Sequence, residues 1–222
     1  MQKFDTPAAV RAILDIPAGR IQFIAADRTD TTVEVRPANP AKSRDVKTAE
    51  QTEVTYVDGL LRIQAPEVTN RVLGNSGSVE VTVQLPVGSS VEAKAAAAEF
   101  RGVGRLGDVG FEGGHGSVKL DEADSARITG LDATITVGRL NGPGEITTQQ
   151  GDVNITEAVS GTLTLATQQG DITVGTARGV SASLDAGTSY GRITNTLKNT
   201  GGTPGLTIKA TTAQGDIDAR SL

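Results

Sequence analysis

The chain has 222 residues, a formal net charge of −5, 27 glycines and only 3% aromatic residues. An acidic balance of this kind leaves no concentrated basic face for general nucleic-acid or anionic-membrane binding. The absence of cysteine excludes disulfides, thiolate metal sites and cysteine nucleophiles together.

In chain order, Met1-Gln2-Lys3-Phe4-Asp5 lacks the charged-then-apolar layout of a secretory signal, and no apolar run approaches the roughly 20 residues of a membrane-spanning helix. The chain as written is expected in the cytoplasm, without an integral membrane segment. Ile16-Pro17-Ala18-Gly19 followed by Ile21 and Phe23 echoes Leu85-Pro86-Val87-Gly88 followed by Val91 and Ala93. One device of strand, Pro-x-Gly turn and strand thus occurs twice, and a strand array begins near the N-terminus. Between the two copies, Asn39 to Glu53 crowds charges around Val46 and Ala49. Its lack of alternation, with Asn39 as a cap and Pro40 in the first turn, predicts a short, mostly solvated helix or loop over 39–53 that caps the first coil. Thr69 to Ser78, with Gly74-Asn75-Ser76-Gly77, reads as a loop.

From Val79/Val81/Val83/Leu85 onward the apolar residues alternate, as half-buried strands require, and Thr and Val fill a pleated surface with one wet face. Strand starts near Gly107, Gly116, Ser125, Thr134, Gly144, Gly151, Gly161, Gly170, Ser181, Gly191, Leu206 and Gly215 fall mostly 7 to 11 residues apart. The most regular part is a frame repeated at Thr148–Val153, Thr167–Ile172, Thr188–Ile193 and Thr212–Ile217, whose glycines are 19, 21 and 24 residues apart. A period near twenty residues means stacked coils. Each coil then carries two strands. Inward pairs Val153/Ile155, Ile172/Val174 and Val109/Phe111 belong to one wall, and Leu163/Leu165 and Leu184/Ala186 to the other.

The predicted fold is an all-β, right-handed β-solenoid. It forms one domain over 1–222, with irregular coils over 1–97 and regular repeats over 98–222. A lone coil buries too few aliphatic side chains to offset its backbone entropy, so stacking must supply the stability. Lys198 to Gly205 reads as an inserted, protruding mobile loop.

The Gly-Asp-Val/Ile strands after Thr-x-Gln turns, with the Leu14-Asp15-Ile16-Pro17-Ala18-Gly19-Arg20-Ile21 segment and the Val81-Thr82-Val83-Gln84-Leu85-Pro86 strand, resemble the bacterial putative-adhesin family with β-strand repeats, the domain of unknown function 4097 type. Within it the chain looks like the actinobacterial members without a signal. The resemblance covers essentially the whole chain, implies the fold, and carries no catalytic motif.

Candidate sites are few. Coils about 5 Å apart would set Asp152 beside Asp171, followed by Arg192 and then Asp216. That column reads as turn chemistry, with calcium binding as the sharper alternative. The Thr148, Thr167, Thr188, Thr212 and the Gln150, Gln169, Tyr190, Gln214 columns read as ladders, or as a flat face for a partner. Gly113 to Leu120 fits the nonapeptide of β-roll toxins superficially, but Val118 stands where the motif needs Asp. His115, the only histidine, sits near Asp108, Glu112 and Asp121 in sequence and reads as a solvated turn. Arg101 and Arg105 beside Phe100 and Phe111 are too few for an acidic ligand. No catalytic, cofactor-binding or metal residue is assigned, and no cofactor.

The expected function is therefore a non-catalytic, adhesin-like interaction or scaffold protein with a protein partner, as a monomer or small homo-oligomer. Self-assembly through an uncapped last coil at Gly215–Leu222 is the alternative, with Asp216, Asp218 and Arg220 charging that edge. A polysaccharide-active β-helix enzyme comes third.

Overall fold

The computed structural model describes residues 1–66, 77–199 and 201–222. Its first half contains β1 (Gln2–Asp5), β2 (Arg11–Ala26), β3 (Asp30–Pro37), α1 (Ser43–Gln51), β4 (Glu53–Val57), β5 (Leu60–Gln64), β6 (Val79–Pro86) and β7 (Ser90–Leu140). The second half contains β8 (Gly144–Thr147), β9 (Val153–Ala158), β10 (Gly161–Gln169), β11 (Ile172–Thr176), β12 (Ala182–Tyr190), β13 (Ile193–Thr196), β14 (Leu206–Gln214) and β15 (Ile217–Ser221). Strands β2 and β7 run unbroken around corners, so two walls are joined into one β-solenoid.

Parallel register repeats in steps of 18 or 19 residues, as in Ala126 beside Gly144, Ile135 beside Val153 and Gly144 beside Leu163. Matching apolar positions therefore superpose. Ile128, Ile146, Leu165 and Ala210 form a buried column on the first wall, and Ile135, Val153, Ile172 and Ile217 form one on the second. A third, narrower seam closes the section with Leu106, Ala123, Leu140 and Ala158, all fully buried. Its backbone continues the ladder, Asn141 N donating to Ala123 O at 3.0 Å and Val159 N to Leu140 O at 2.9 Å. Three of the four phenylalanines fill the interior where aliphatic pairs give way to small residues, with ring centroids 5.9 Å apart for Phe23 and Phe100 and 5.2 Å for Phe100 and Phe111.

Val109 and Phe111 do not share a wall with Val153 and Ile155. They lie on the first wall, where Gly110 sits beside Glu92 and Asp108 meets Ser125. Gly107 precedes Gly151 by 44 residues, about two and a half coils, so the shared Gly-Asp-Val spelling falls on opposite sides of the rod.

Sequence order is not spatial order at either end. The rung built from β5 and β6 stacks outside β2, although β2 precedes it. In the same way β14 lies between β10 and β12, and β15 between β11 and β13. The outermost rung is therefore β12 and β13, and the strands nearest the C-terminus are sandwiched inside the stack. The uncapped edge expected at Gly215–Leu222 is corrected to Ala182–Thr196, and Asp216, Asp218 and Arg220 belong to an internal rung.

Helix α1 begins at Ser43, later than expected, and Lys42 at its N-cap makes no side-chain capping bond. Asn39 instead closes a local turn, its Oδ1 accepting from Ala41 N at 2.9 Å. Asp45, buried in the first helical turn, accepts from Asn39 N at 3.1 Å and Ser78 N at 3.0 Å. These bonds tie α1, which packs on β3 and β6, to the end of the stack. The loop expected over Thr69 to Ser78 lies, apart from Gly77 and Ser78, outside the described residues. Of the insertion at Lys198 to Gly205, Lys198, Asn199 and Gly201 to Thr203 are exposed.

Candidate functional site

The four-fold frame is a stapling device. Its glycines take φ of +114° at Gly151, +149° at Gly170, +149° at Gly215 and +156° at Gly191, where a side chain is strained. A Cβ on Gly170 would stand 2.2 Å from Gly151 O, on Gly215 2.0 Å from Gly170 O, and on Gly191 1.9 Å from Gly215 O. Absence of a side chain lets the rungs close to backbone contact in the order 151, 170, 215, 191. The neighbouring residues then bond from rung to rung. Asp152 Oδ1 accepts from Asp171 N at 2.8 Å, Asp171 Oδ1 from Asp216 N at 2.7 Å, and Asp216 Oδ1 from Arg192 N at 2.8 Å. Thr167, Thr212 and Thr188 donate their hydroxyls to Gly151 O, Gly170 O and Gly215 O at 3.0 to 3.1 Å.

Two sequence expectations change here. The aspartates cap the next rung's N–H, a role between coils that a turn-local reading does not contain. Arg192 comes last in the column, not third. It occupies the aspartate position on the outermost rung, where among the described residues no further rung presents an N–H, and pairs with Asp216 at 3.5 Å. Each aspartate thus commits a carboxylate oxygen to the backbone. The exposed Gln150, Gln169, Gln214 and Tyr190 follow the same corrected order.

His115 is exposed, and its Nδ1 lies 3.5 Å from Asp132 Oδ2 on the next coil. Asp108, Glu112 and Asp121 are engaged elsewhere: with Ser125 at 2.5 Å, Lys94 at 3.2 Å and Arg101 at 2.6 Å respectively. Phe100 and Phe111 are buried, so they form no surface cluster with the arginines. Arg105 instead joins a polar seam at 3.2 Å from Asp124. There Asn141 Nδ2 donates to Glu122 at 2.9 Å and to Asp124 at 3.2 Å, and Arg139 meets Glu157 at 2.5 Å.

Sequence reading missed a concavity on the first wall. The outer face of the first wall is an open trough of about 1280 Å³, with Arg11, Glu92, Lys94, Glu112, Arg127 and Glu145 along it. Its charges pair between rungs, Arg11 with Glu92 at 2.9 Å, Lys94 with Glu112 at 3.2 Å and Arg127 with Glu145 at 3.5 Å. Register prolongs the last column through Thr164 and Lys209 to Asp185. Gly110 leaves bare backbone on the floor in the middle of the trough. The available signal was the outward-facing residue one to three positions after each first-wall strand start, which becomes a column only once the register is known.

Residues 14–221 match the family described as Toastrack DUF4097. No curated protein sequence matches the chain. Among solved structures, a putative adhesin from Bacteroides fragilis is similar at 14% identity and a TM-score of 0.53, over 98% of this chain and 95% of that one. A putative adhesin from Parabacteroides distasonis matches at 13% identity and a TM-score of 0.48, over 98% and 95%. A putative cell adhesion protein from Clostridium sporogenes matches at 12% and 0.41, over 100% and 98%. The Bacteroides likeness is one of fold. Among the described residues no helix is long and apolar enough to cross a membrane.

Proposed function

The chain belongs to the Toastrack DUF4097 family, and on that premise we propose that it is a non-catalytic, adhesin-like interaction protein that holds a protein partner in the trough of its first wall, the whole chain serving as one domain. The carrying observation is the trough's row of charges at rung spacing, fixed in place by a fully buried aliphatic column behind it. Alternating signs on a rigid sheet favour an extended polypeptide with the complementary pattern, which gains orientation from charge and area from the floor of the trough. Against a hydrolytic role, Asp108, Glu112 and Asp121, the carboxylates nearest His115 in sequence, are held by Ser125, Lys94 and Arg101.

Photo-crosslinking side chains placed at Gly110 and Thr129 in the trough, and at Thr173 on the opposite wall, test this reading. Crosslinks to one protein are expected from the trough positions only, and Arg127→Glu combined with Lys94→Glu should abolish them. Capture from Thr173 instead, or release of reducing sugar from a polysaccharide by the purified chain, would overturn it.

A further inference from the structure

The two ends of the stack differ in a way that bears on self-association. We propose that the open rung of β12 and β13 pairs antiparallel with the same rung of a second copy of this chain, giving an end-to-end dimer that grows no further. Among the described strands β12 pairs only with β14 and β13 only with β15, so that, past the bond from Ala182 N to Lys198 O at the start of β12, both present an unpaired backbone edge. Such edges are ordinarily blunted by lysine, proline or inward charge. Here β13 carries no charged residue and β12 only Asp185, and neither has proline or lysine. Tyr190 is 75% exposed and Ile193 45% exposed, and the rest of β13 is open to solvent.

The occupant follows from chemistry and symmetry. A further parallel rung would need its N–H capped by a carboxylate at the frame position, and Arg192, a pure donor, cannot accept it. Antiparallel pairing needs only backbone donors and acceptors, and within β12 and β13 themselves the single charge is Asp185. A two-fold axis normal to the rod and passing through both walls sets β12 against β12 and β13 against β13, the self-complementary arrangement of a closed dimer. The other end of the rod does not extend the chain of contacts. Among the described residues its edge strands are β1 and β4, of four and five residues, and exposed Lys3, Asp5 and Glu53 charge them.

Sedimentation of the full chain over a concentration series is expected to give a limiting mass twice 22.8 kDa. Ile193→Lys with Thr194→Lys, at exposed positions, should raise the dissociation constant roughly tenfold or more with the circular dichroism spectrum unchanged. A second measurement does not depend on those variants. Nitroxide on Gly187→Cys, in a chain with no other cysteine and with open space at that Cβ, should report one short intermolecular distance, and nitroxide on Lys42→Cys none. A constant monomer mass, mass growing without limit, or a short distance from Lys42→Cys and not from Gly187→Cys would each overturn the proposal.

Discussion

At one end of the rod the apolar interior is stopped by Phe4 against Tyr56, ring centroids 5.4 Å apart, between edge strands that run antiparallel to the rung below. At the other, β12 and β13 continue the parallel register and leave Leu184, Ala186 and Ile193 partly in solvent. Asp58 and Gly59, with φ of 49° and 80°, make the tight reversal that permits antiparallel β4, and α1 packs beside it on β3 and β6. Between Gly191 and Leu206 the chain instead steps past a rung and returns, spending its last strands on the interior. The difference teaches that a solenoid end is closed by breaking the repeat, and that one left in repeat geometry remains a template for another strand.

Truncation of the interior gives the largest expected contrast. Phe23→Ala, in the phenylalanine cluster near the capped end, should cost about 3–5 kcal/mol, whereas Ile193→Ala on the open rung should cost under about 1 kcal/mol, both read from denaturant midpoints. Equal losses would mean that the open rung is covered in the monomer.

Next comes the stapled frame. Gly215→Ala places a methyl group 2.0 Å from Gly170 O at a φ of +149°, and a loss of about 3 kcal/mol is expected. Asp171→Ala removes the acceptor for Asp216 N, and should cost about 1–3 kcal/mol. Arg192→Asp, by contrast, supplies a carboxylate with no N–H to receive it and should bring no gain. A stabilised Arg192→Asp monomer would show the column to be ordered as in the sequence.

Hydrogen exchange sharpens the same point without a change in stability. In the Ile193→Lys, Thr194→Lys monomer, amides of β12 and β13 should exchange before those of β14 and β15, although the latter lie nearer the C-terminus. The reverse order would contradict the sandwiched placement.

The smallest effect belongs to the capped end. Arg28, at 2.8 Å, and Lys3, at 3.1 Å, hold the Asp30 carboxyl down from 3.8 to about 2. Because the folded value is depressed, the stability this group contributes is present above about pH 4 and is lost as pH falls toward 2. Asp30→Asn should remove that part of the acid sensitivity, seen as a flatter melting temperature over the same window. An unchanged acid profile would show that the tie of β1 to β3 does not depend on this carboxylate.

Much of the architecture was legible because its signals are local and repeated. Gly151, Gly170, Gly191 and Gly215 share one backbone conformation, and any side chain there meets a neighbouring carbonyl, so the frame marks the corners of coils. Val153/Ile155 and Leu163/Leu165 announced opposite walls by their alternation. Val109/Phe111 misled because half-coils have nearly equal lengths, so a correct motif gives a strand and not its wall. The trough was illegible for a related reason: Arg127 and Glu145 become neighbours only through an 18-residue register that no local pattern displays.

By itself, then, the sequence determined that this chain folds as stacked coils with an aliphatic interior, since periodic glycine and alternating side chains act within one rung and its neighbours. Only the tertiary structure decided which rung lies next to which. Identical frames compete for the same neighbour, and the choice of β15 over β13 beside β11 rests on loop lengths, on Arg192 ending the row of carboxylates, and on how each end of the rod is covered. Those are properties of the assembled stack, and from them follow the open edge and the partner proposed for it.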